Sequence, residues 1–71
     1  MEELILSPNY TRILDMIIMG VERKEIAIKL NITINTLYGY IKDMNQKNDC
    51  NLHQLVWRYA HVGTKYTIKT K

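Results

Sequence analysis

The stretch Glu25–Met44, EIAIKLNITINTLYGYIKDM, decides the predicted fold because it contains two helical repeats separated by a turn. Ile26, Ala27 and Leu30 share one face of a short first helix. A second set of residues with the same helical spacing follows at Leu37, Tyr40, Ile41 and Met44. The stretch therefore predicts two short amphipathic helices, over 23–30 and 34–46.

The three residues between these helices have the chemistry of a tight turn. Asn31 tolerates the left-handed backbone conformation, Ile32 supplies an apolar plug, and Thr33 is a good N-cap for the following helix. Ala27 is small enough to allow the two helices to cross closely. We therefore predict a helix-turn-helix; the alternative at this stage is a generic helical hairpin.

Helices are also predicted on both sides of this motif. Ser7 and Pro8 are typical of a helix start, and Gly20 ends the helix that they begin. After a polar break, apolar residues at helical spacing predict a fourth helix over 52–62, which Gly63 ends.

The last residues, TKYTIKTK, alternate in the manner of a strand, with Tyr66 and Ile68 on one side. Because no second strand is predicted, we expect a loose basic extension or a strand completed by a partner. The predicted fold class is all-α, a four-helix helix-turn-helix domain with a short extended C-terminal tail. It forms a single domain over 1–71, with its core in 6–62 and a basic tail in 63–71.

Length and composition restrict the possible functions. A chain of 71 residues forms one modest core and leaves little room for a buried active site, so we expect no enzyme and no cofactor. No apolar run could span a bilayer, and the N-terminus lacks the features of a secretory signal. The single Cys50 agrees with a reducing compartment, so we expect a cytoplasmic protein. His53 and His61 lie too far apart along a helix to share a metal ion with it, so no metal site is predicted.

Charge is unevenly distributed along the chain. Residues 1–25 contain five acids and three bases, a net charge of −2, whereas residues 26–71 contain seven bases and two acids, a net charge of +5. A basic region of this kind favours a polyanionic partner, because binding to phosphates releases counterions.

The segment Leu6–Ala60 resembles the LuxR-type (GerE-like) helix-turn-helix domain, without gaps. Sigma-factor C-terminal domains share a similar motif. The resemblance is carried by four segments of this chain: LSPNYTRILDMIIMG, KEIAIKLNIT, NTL and WRYA. It implies a four-helix domain whose third helix enters the major groove of DNA and whose fourth helix pairs two subunits. Without a receiver or ligand-sensing domain, this chain is expected to be a stand-alone module.

The chain departs from the family pattern at four positions. The family usually has Glu where Tyr10 stands, Lys where Tyr38 stands, and a small apolar or amide residue at Gly39. Its Leu near the end of the third helix is Asn48 here, which we expect to weaken the hydrophobic contact between the third and fourth helices. The surface of the third helix that is expected to face DNA is therefore less basic than the family pattern implies.

Four residues of the third helix are predicted to contact bases. Asn35 can bond bidentately to adenine, and Lys42 can bond to guanine. Gly39 permits close approach of the helix, and Tyr38 can contact a thymine methyl group or a phosphate. Predicted phosphate contacts come from Lys24, Thr33, Thr36 and Lys47.

A second exposed face is predicted on the fourth helix. It consists of His53, Trp57, Ala60 and His61. Because exposed tryptophan is enriched at interfaces, we predict that this face forms a homodimer. The alternative is that Trp57 folds back over the core.

The predicted function is that of a sequence-specific DNA-binding transcription regulator, with helix 34–46 in the major groove of double-stranded DNA, acting as a homodimer. The alternative is a protein-interaction module that binds RNA polymerase or another regulator through the same scaffold without reading DNA. RNA binding has only the tyrosines in its support.

Overall fold

The computed structural model describes residues 1–70, which form four helices and one two-stranded parallel sheet. In chain order the elements are β1 (Glu2–Leu6), α1 (Pro8–Ile18), α2 (Arg23–Lys29), α3 (Ile34–Lys47), α4 (Leu52–Ala60) and β2 (Tyr66–Thr70). The two strands are the first and last elements, and they pair from Glu2 beside Tyr66 to Leu6 beside Thr70.

The sheet overturns the predicted all-α fold class. The C-terminal segment does form a strand, but the expectation that the chain holds no strand to pair with it is wrong, because β1 is that strand. Leu4 and Leu6 of β1 are each 1% exposed and belong to the core, so this short alternating segment is anchored by burial. The pairing joins opposite ends of the chain, and local sequence patterns carry no signal for such a distant partner.

The helices follow the predicted boundaries closely. Ser7 caps α1 by accepting a hydrogen bond from the Tyr10 N–H at 3.3 Å. Asn51 caps α4 in a capping box with Gln54, in which each side chain accepts from the other residue's N–H. Helix α4 ends at Ala60, two residues before the predicted end, because the following turn leads directly into β2.

The turn between α2 and α3 has the predicted geometry. Asn31 adopts the left-handed conformation with φ of 57°. The Ile32 N–H then donates to the Ala27 carbonyl at 3.0 Å, which closes the end of α2. Ala27 is 4% exposed at the crossing of the two helices. These contacts fix the direction in which α3 leaves the turn.

One core connects all of the elements. Its buried apolar side chains are Leu4, Leu6, Ile13, Leu14, Ile26, Ala27, Leu37, Ile41, Met44 and Leu55. On α4 only Leu55 is fully buried, while Leu52, Val56 and Tyr59 pack partly against the same cluster. The predicted apolar stripes of the helices are therefore confirmed, and β1 adds Leu6 and also Leu4, which lies outside the predicted core range of 6–62.

Asn48 joins the sheet to the end of α3. Its Oδ1 accepts from the Ile5 N–H at 2.6 Å, and its Nδ2 donates to the Ile5 carbonyl at 3.0 Å and to the Met44 carbonyl at 2.8 Å. The side-chain amide thus binds the edge of β1 that faces away from β2, as a neighbouring strand would. Asn48, which we expected to weaken the contact between α3 and α4, thus has a role that was not predicted from the sequence, because its polar atoms hold β1 in place.

We predict that Asn48→Leu lowers the free energy of unfolding, although leucine has the same branching and number of side-chain heavy atoms as asparagine and is the residue of the resembling family. The substitution leaves the N–H and carbonyl of Ile5 without their partner, at a cost of about 2 to 3 kcal/mol. Urea denaturation followed by circular dichroism measures this change.

Asn45→Ala on the same helix is the matched control. The Asn45 Oδ1 is buried without a hydrogen-bond partner, so its removal should be neutral or slightly stabilising. Equal stability of Asn48→Leu and the native protein would show that the amide does not hold β1.

Candidate nucleic-acid interface

The predicted base-contacting residues lie together on the solvent-exposed side of α3. Asn35, Tyr38, Gly39 and Lys42 are all exposed, and their spacing places them within about 100° around the helix axis. The Tyr38 ring is 52% exposed, so it lies on the surface and not in the core. The helix therefore presents a continuous face with an amide, a phenol and an ammonium group. We call Asn35, Tyr38, Gly39 and Lys42 the reading face.

Gly39 leaves a gap in the middle of the reading face. A Cβ atom built at this position would meet no atom within 4 Å, so internal packing does not require glycine here. Glycine in a helix interior also costs about 1 kcal/mol relative to alanine. The residue gives the fold nothing that alanine would not give, whereas it allows another molecule to approach the helix backbone.

The N-terminus of α3 is closed by two threonines that were predicted to contact phosphates. The Thr33 Oγ1 accepts from the Thr36 N–H at 3.1 Å and donates to the Thr36 Oγ1 at 2.9 Å. Thr33 is therefore chiefly a helix cap. The Thr36 hydroxyl accepts in this pair, so its own proton is not used in it. Lys24, also predicted to contact phosphate, is exposed in the first turn of α2.

The acidic residue beside the reading face, Asp43, takes part in a cluster of side-chain contacts within the protein. The Asp43 Oδ2 accepts from the Tyr10 hydroxyl at 2.6 Å and lies 2.9 Å from the Lys47 Nζ. The Lys47 ammonium also sits 5.8 Å from the centre of the Tyr10 ring. Tyr10, where the family pattern has a capping Glu, thus holds the carboxylate on the α1 side of α3. Neither the pair of Asp43 with Lys47 nor the contact with Tyr10 was predicted from the sequence.

A second acid borders the reading face. Asp49, just after α3, lines an open groove together with Tyr38 and Lys42. Its backbone has φ of 51°, a conformation that directs the chain from α3 towards α4. The C-terminal end of the reading face is consequently less favourable for phosphate than its N-terminal end.

The predicted dimer face is partly covered by the C-terminal segment. Trp57 is 48% exposed, stacks on His61 with ring centres 4.0 Å apart, and meets the Tyr66 ring edge-on at 6.3 Å. The Lys65 ammonium lies 5.5 Å from the centre of the Trp57 ring. His53 borders the same concavity as Trp57. Trp57 thus packs against the turn and start of β2, and half of its surface stays open.

Ala60 and His61 are the remaining residues of the predicted dimer face. Ala60 is exposed. The His61 Nδ1 lies 2.8 Å from the Trp57 carbonyl, so this nitrogen carries the proton and donates. The four residues are close enough to act as one surface.

Comparison of the chain with protein families, curated proteins and solved structures finds no match. Within residues 1–70, no helix is long and apolar enough to cross a membrane. The part of the chain that the structure describes also contains no group of three metal-ligating side chains. The reading face, its charges and the helix-turn-helix geometry are therefore the basis for a functional proposal.

We predict that stability falls between about pH 10 and pH 12. Burial and the hydrogen bond to Asp43 raise the pKa of Tyr10 from 10.0 to about 12, and burial and the hydrogen bond to Asp15 do the same for Tyr59. In this range the unfolded chain loses the phenolic protons that the folded protein retains, so rising pH favours unfolding.

The double variant Tyr10→Phe and Tyr59→Phe tests this mechanism. It should be less stable than the native protein below pH 10, and the difference should shrink towards pH 12. Urea denaturation at a series of pH values measures both curves, and a difference that stays constant with pH would contradict the proposed cause.

We predict that Gly39→Ala changes stability and DNA affinity in opposite directions. The free energy of unfolding should rise by about 1 kcal/mol, because alanine favours the helix and meets no neighbouring atom. If DNA approaches the backbone here, the added methyl group should weaken binding. Thermal denaturation and fluorescence anisotropy measure the two effects, and unchanged affinity in the stabilised variant would remove Gly39 from the interface.

Proposed function

We propose that this protein is a sequence-specific DNA-binding transcription regulator of the LuxR type that acts in the cytoplasm and inserts α3 into the major groove. The observation that carries the proposal is the reading face, an exposed surface that follows a tight helix-turn-helix and has a gap at Gly39 without a structural need for it. Asn35 would bond to adenine and Lys42 to guanine.

The charges around α3 support the proposed insertion of this helix into the major groove. Lys42 lies on the reading face, Lys24 is exposed on α2, and Asp43, at the edge of the reading face, is paired with Tyr10 and Lys47. With few cations per subunit, a monomer binds weakly, and its affinity falls with salt by a logarithmic slope of about 0.9 for each phosphate neutralised. A dimer doubles the number of these contacts.

We assign the dimer contact to the exposed parts of His53, Trp57, Ala60 and His61. Trp57 remains half-exposed although three neighbouring side chains pack against it. A twofold dimer through α4 would place two copies of α3 about one DNA turn apart, roughly 34 Å, and would match a pseudo-palindromic site.

A protein-interaction module is the second candidate, and one specific observation favours it. Asp49 lines the groove next to Tyr38 and Lys42, which gives this surface a mixed charge and an exposed aromatic ring. Such a surface also suits RNA polymerase or another regulator.

A salt-titrated selection from random duplex DNA tests the proposal, with the mass in solution measured by light scattering. We expect a motif of two half-sites, bound by a dimer with an affinity that falls as salt rises. Lys42→Ala should weaken specific binding by about 1 to 3 kcal/mol and relax the preference at one base pair.

Lys29→Ala is the matched control. Lys29 is exposed at the end of α2, so this substitution also removes one positive charge, but outside the reading face. No enriched motif and no duplex binding at low salt would overturn the DNA proposal and favour a protein partner. An unchanged profile for Lys42→Ala would exclude that side chain from base reading.

A further inference from the structure

We propose that the end of the parallel sheet is a second DNA-contacting element, which binds a backbone phosphate beside the groove that α3 enters. The contact consists of Lys69 and Thr70 of β2 together with Lys47 of α3, and Ile5 forms its floor. These four residues line one concavity, which we call the phosphate shelf. The inference rests on the proposed function and extends it to the C-terminal strand, which the helix-turn-helix pattern does not include.

The fold holds β2 at a fixed place relative to α3. Ile5 pairs with Lys69 in the parallel register, and the backbone of Ile5 is bound on its other side by Asn48, directly after α3. Lys69 is thus only one strand away from the end of the recognition helix. A contact made by Lys69 therefore has a defined position relative to bases read by α3.

The shelf lies at the side of α3 where a groove wall would run. Lys47 is about 120° around the helix axis from Asn35, near the centre of the reading face, because twelve residues at 100° each end one third of a turn away. A helix seated in the major groove has its flanks next to the sugar-phosphate backbone, while its centre faces the bases. Lys47 and the adjoining Lys69 therefore lie on the flank that meets phosphates.

The chemistry of the shelf suits a phosphate oxygen. Lysine carries an ammonium group and threonine a hydroxyl group, so a lining that includes Lys47, Lys69 and Thr70 offers donors that suit phosphate. Among the residues that the structure describes, Asp43 pairs with Lys47, and Glu3 lies beside Thr67 in the sheet register. The pair between Lys47 and Asp43 is partly exposed and contributes little energy, so a phosphate can share that ammonium group.

Lys69→Gln tests the shelf, and Lys29→Gln is its matched control. Both side chains are exposed, both substitutions remove one positive charge, and Lys29 lies at the end of α2, outside the shelf and the proposed dimer contact. Affinity for the selected duplex is measured by fluorescence anisotropy at salt concentrations from about 0.05 to about 0.3 M. This roughly six-fold range of concentration is wide enough to determine the salt slope.

We expect Lys69→Gln to reduce the salt slope by about 0.9 for each subunit, about 1.8 for the dimer, and to weaken binding roughly thirty-fold at about 0.15 M salt, with the sequence preference unchanged. Lys29→Gln should leave the slope at its native value, and Lys69→Arg should restore it. Circular dichroism confirms that each variant is folded.

Two results would overturn the inference, and they are distinguishable from each other. If the native protein binds a motif but Lys69→Gln changes the slope no more than Lys29→Gln does, the shelf makes no contact, while the proposed function stands. If the native protein binds no duplex, the proposed function and the shelf fail together.

Discussion

The hydrogen bonds between the Asn48 side chain and the Ile5 backbone hold the two halves of this fold together. A parallel pair of five-residue strands is marginal by itself, and its edges expose unpaired backbone groups. The Asn48 amide satisfies one of those edges with the same donor and acceptor geometry that a third strand would offer. The sheet can therefore be short, because one helix end takes the place of a further strand.

The same contact links the sheet to the candidate interface. Asn48 follows directly after α3, so the amide transmits the position of α3 to β1, and the strand pairing transmits it to β2. Leu4 and Leu6 add apolar burial to this connection. The reading face and the strand end are consequently joined by a continuous series of hydrogen bonds, although they are separated by more than twenty residues along the chain. The proposed contact at the C-terminal strand depends on this connection to α3.

The sequence predicted the helices well because their signals are local. The caps at Ser7 and Thr33 and the helical spacing of the core residues are all within a few positions of one another, and the structure confirms them. The sheet was missed because its partner strands lie at opposite ends of the chain. The role of Asn48 was missed for the same reason: a polar residue at a helix end has no nearby sequence signal that identifies a strand as its partner. The exposure of the reading face follows from helical spacing, whereas the capture of Asp43 by Tyr10 required the packing of α1 on α3.

Tyr10 and Gly39, both departures from the family pattern, both affect how closely another molecule can approach α3. The Tyr10 hydroxyl holds the Asp43 carboxylate on the flank of the helix, so an anion that would repel phosphate is neutralised by neighbours inside the protein. Gly39 removes the side chain from the centre of the reading face and lets the backbone come closer to a partner. Close approach strengthens the few polar contacts that Asn35 and Lys42 can make, because these interactions depend steeply on distance. A reading face with a single cation is therefore compatible with the proposed DNA recognition, in which shape and short hydrogen bonds replace the charge that the family pattern supplies.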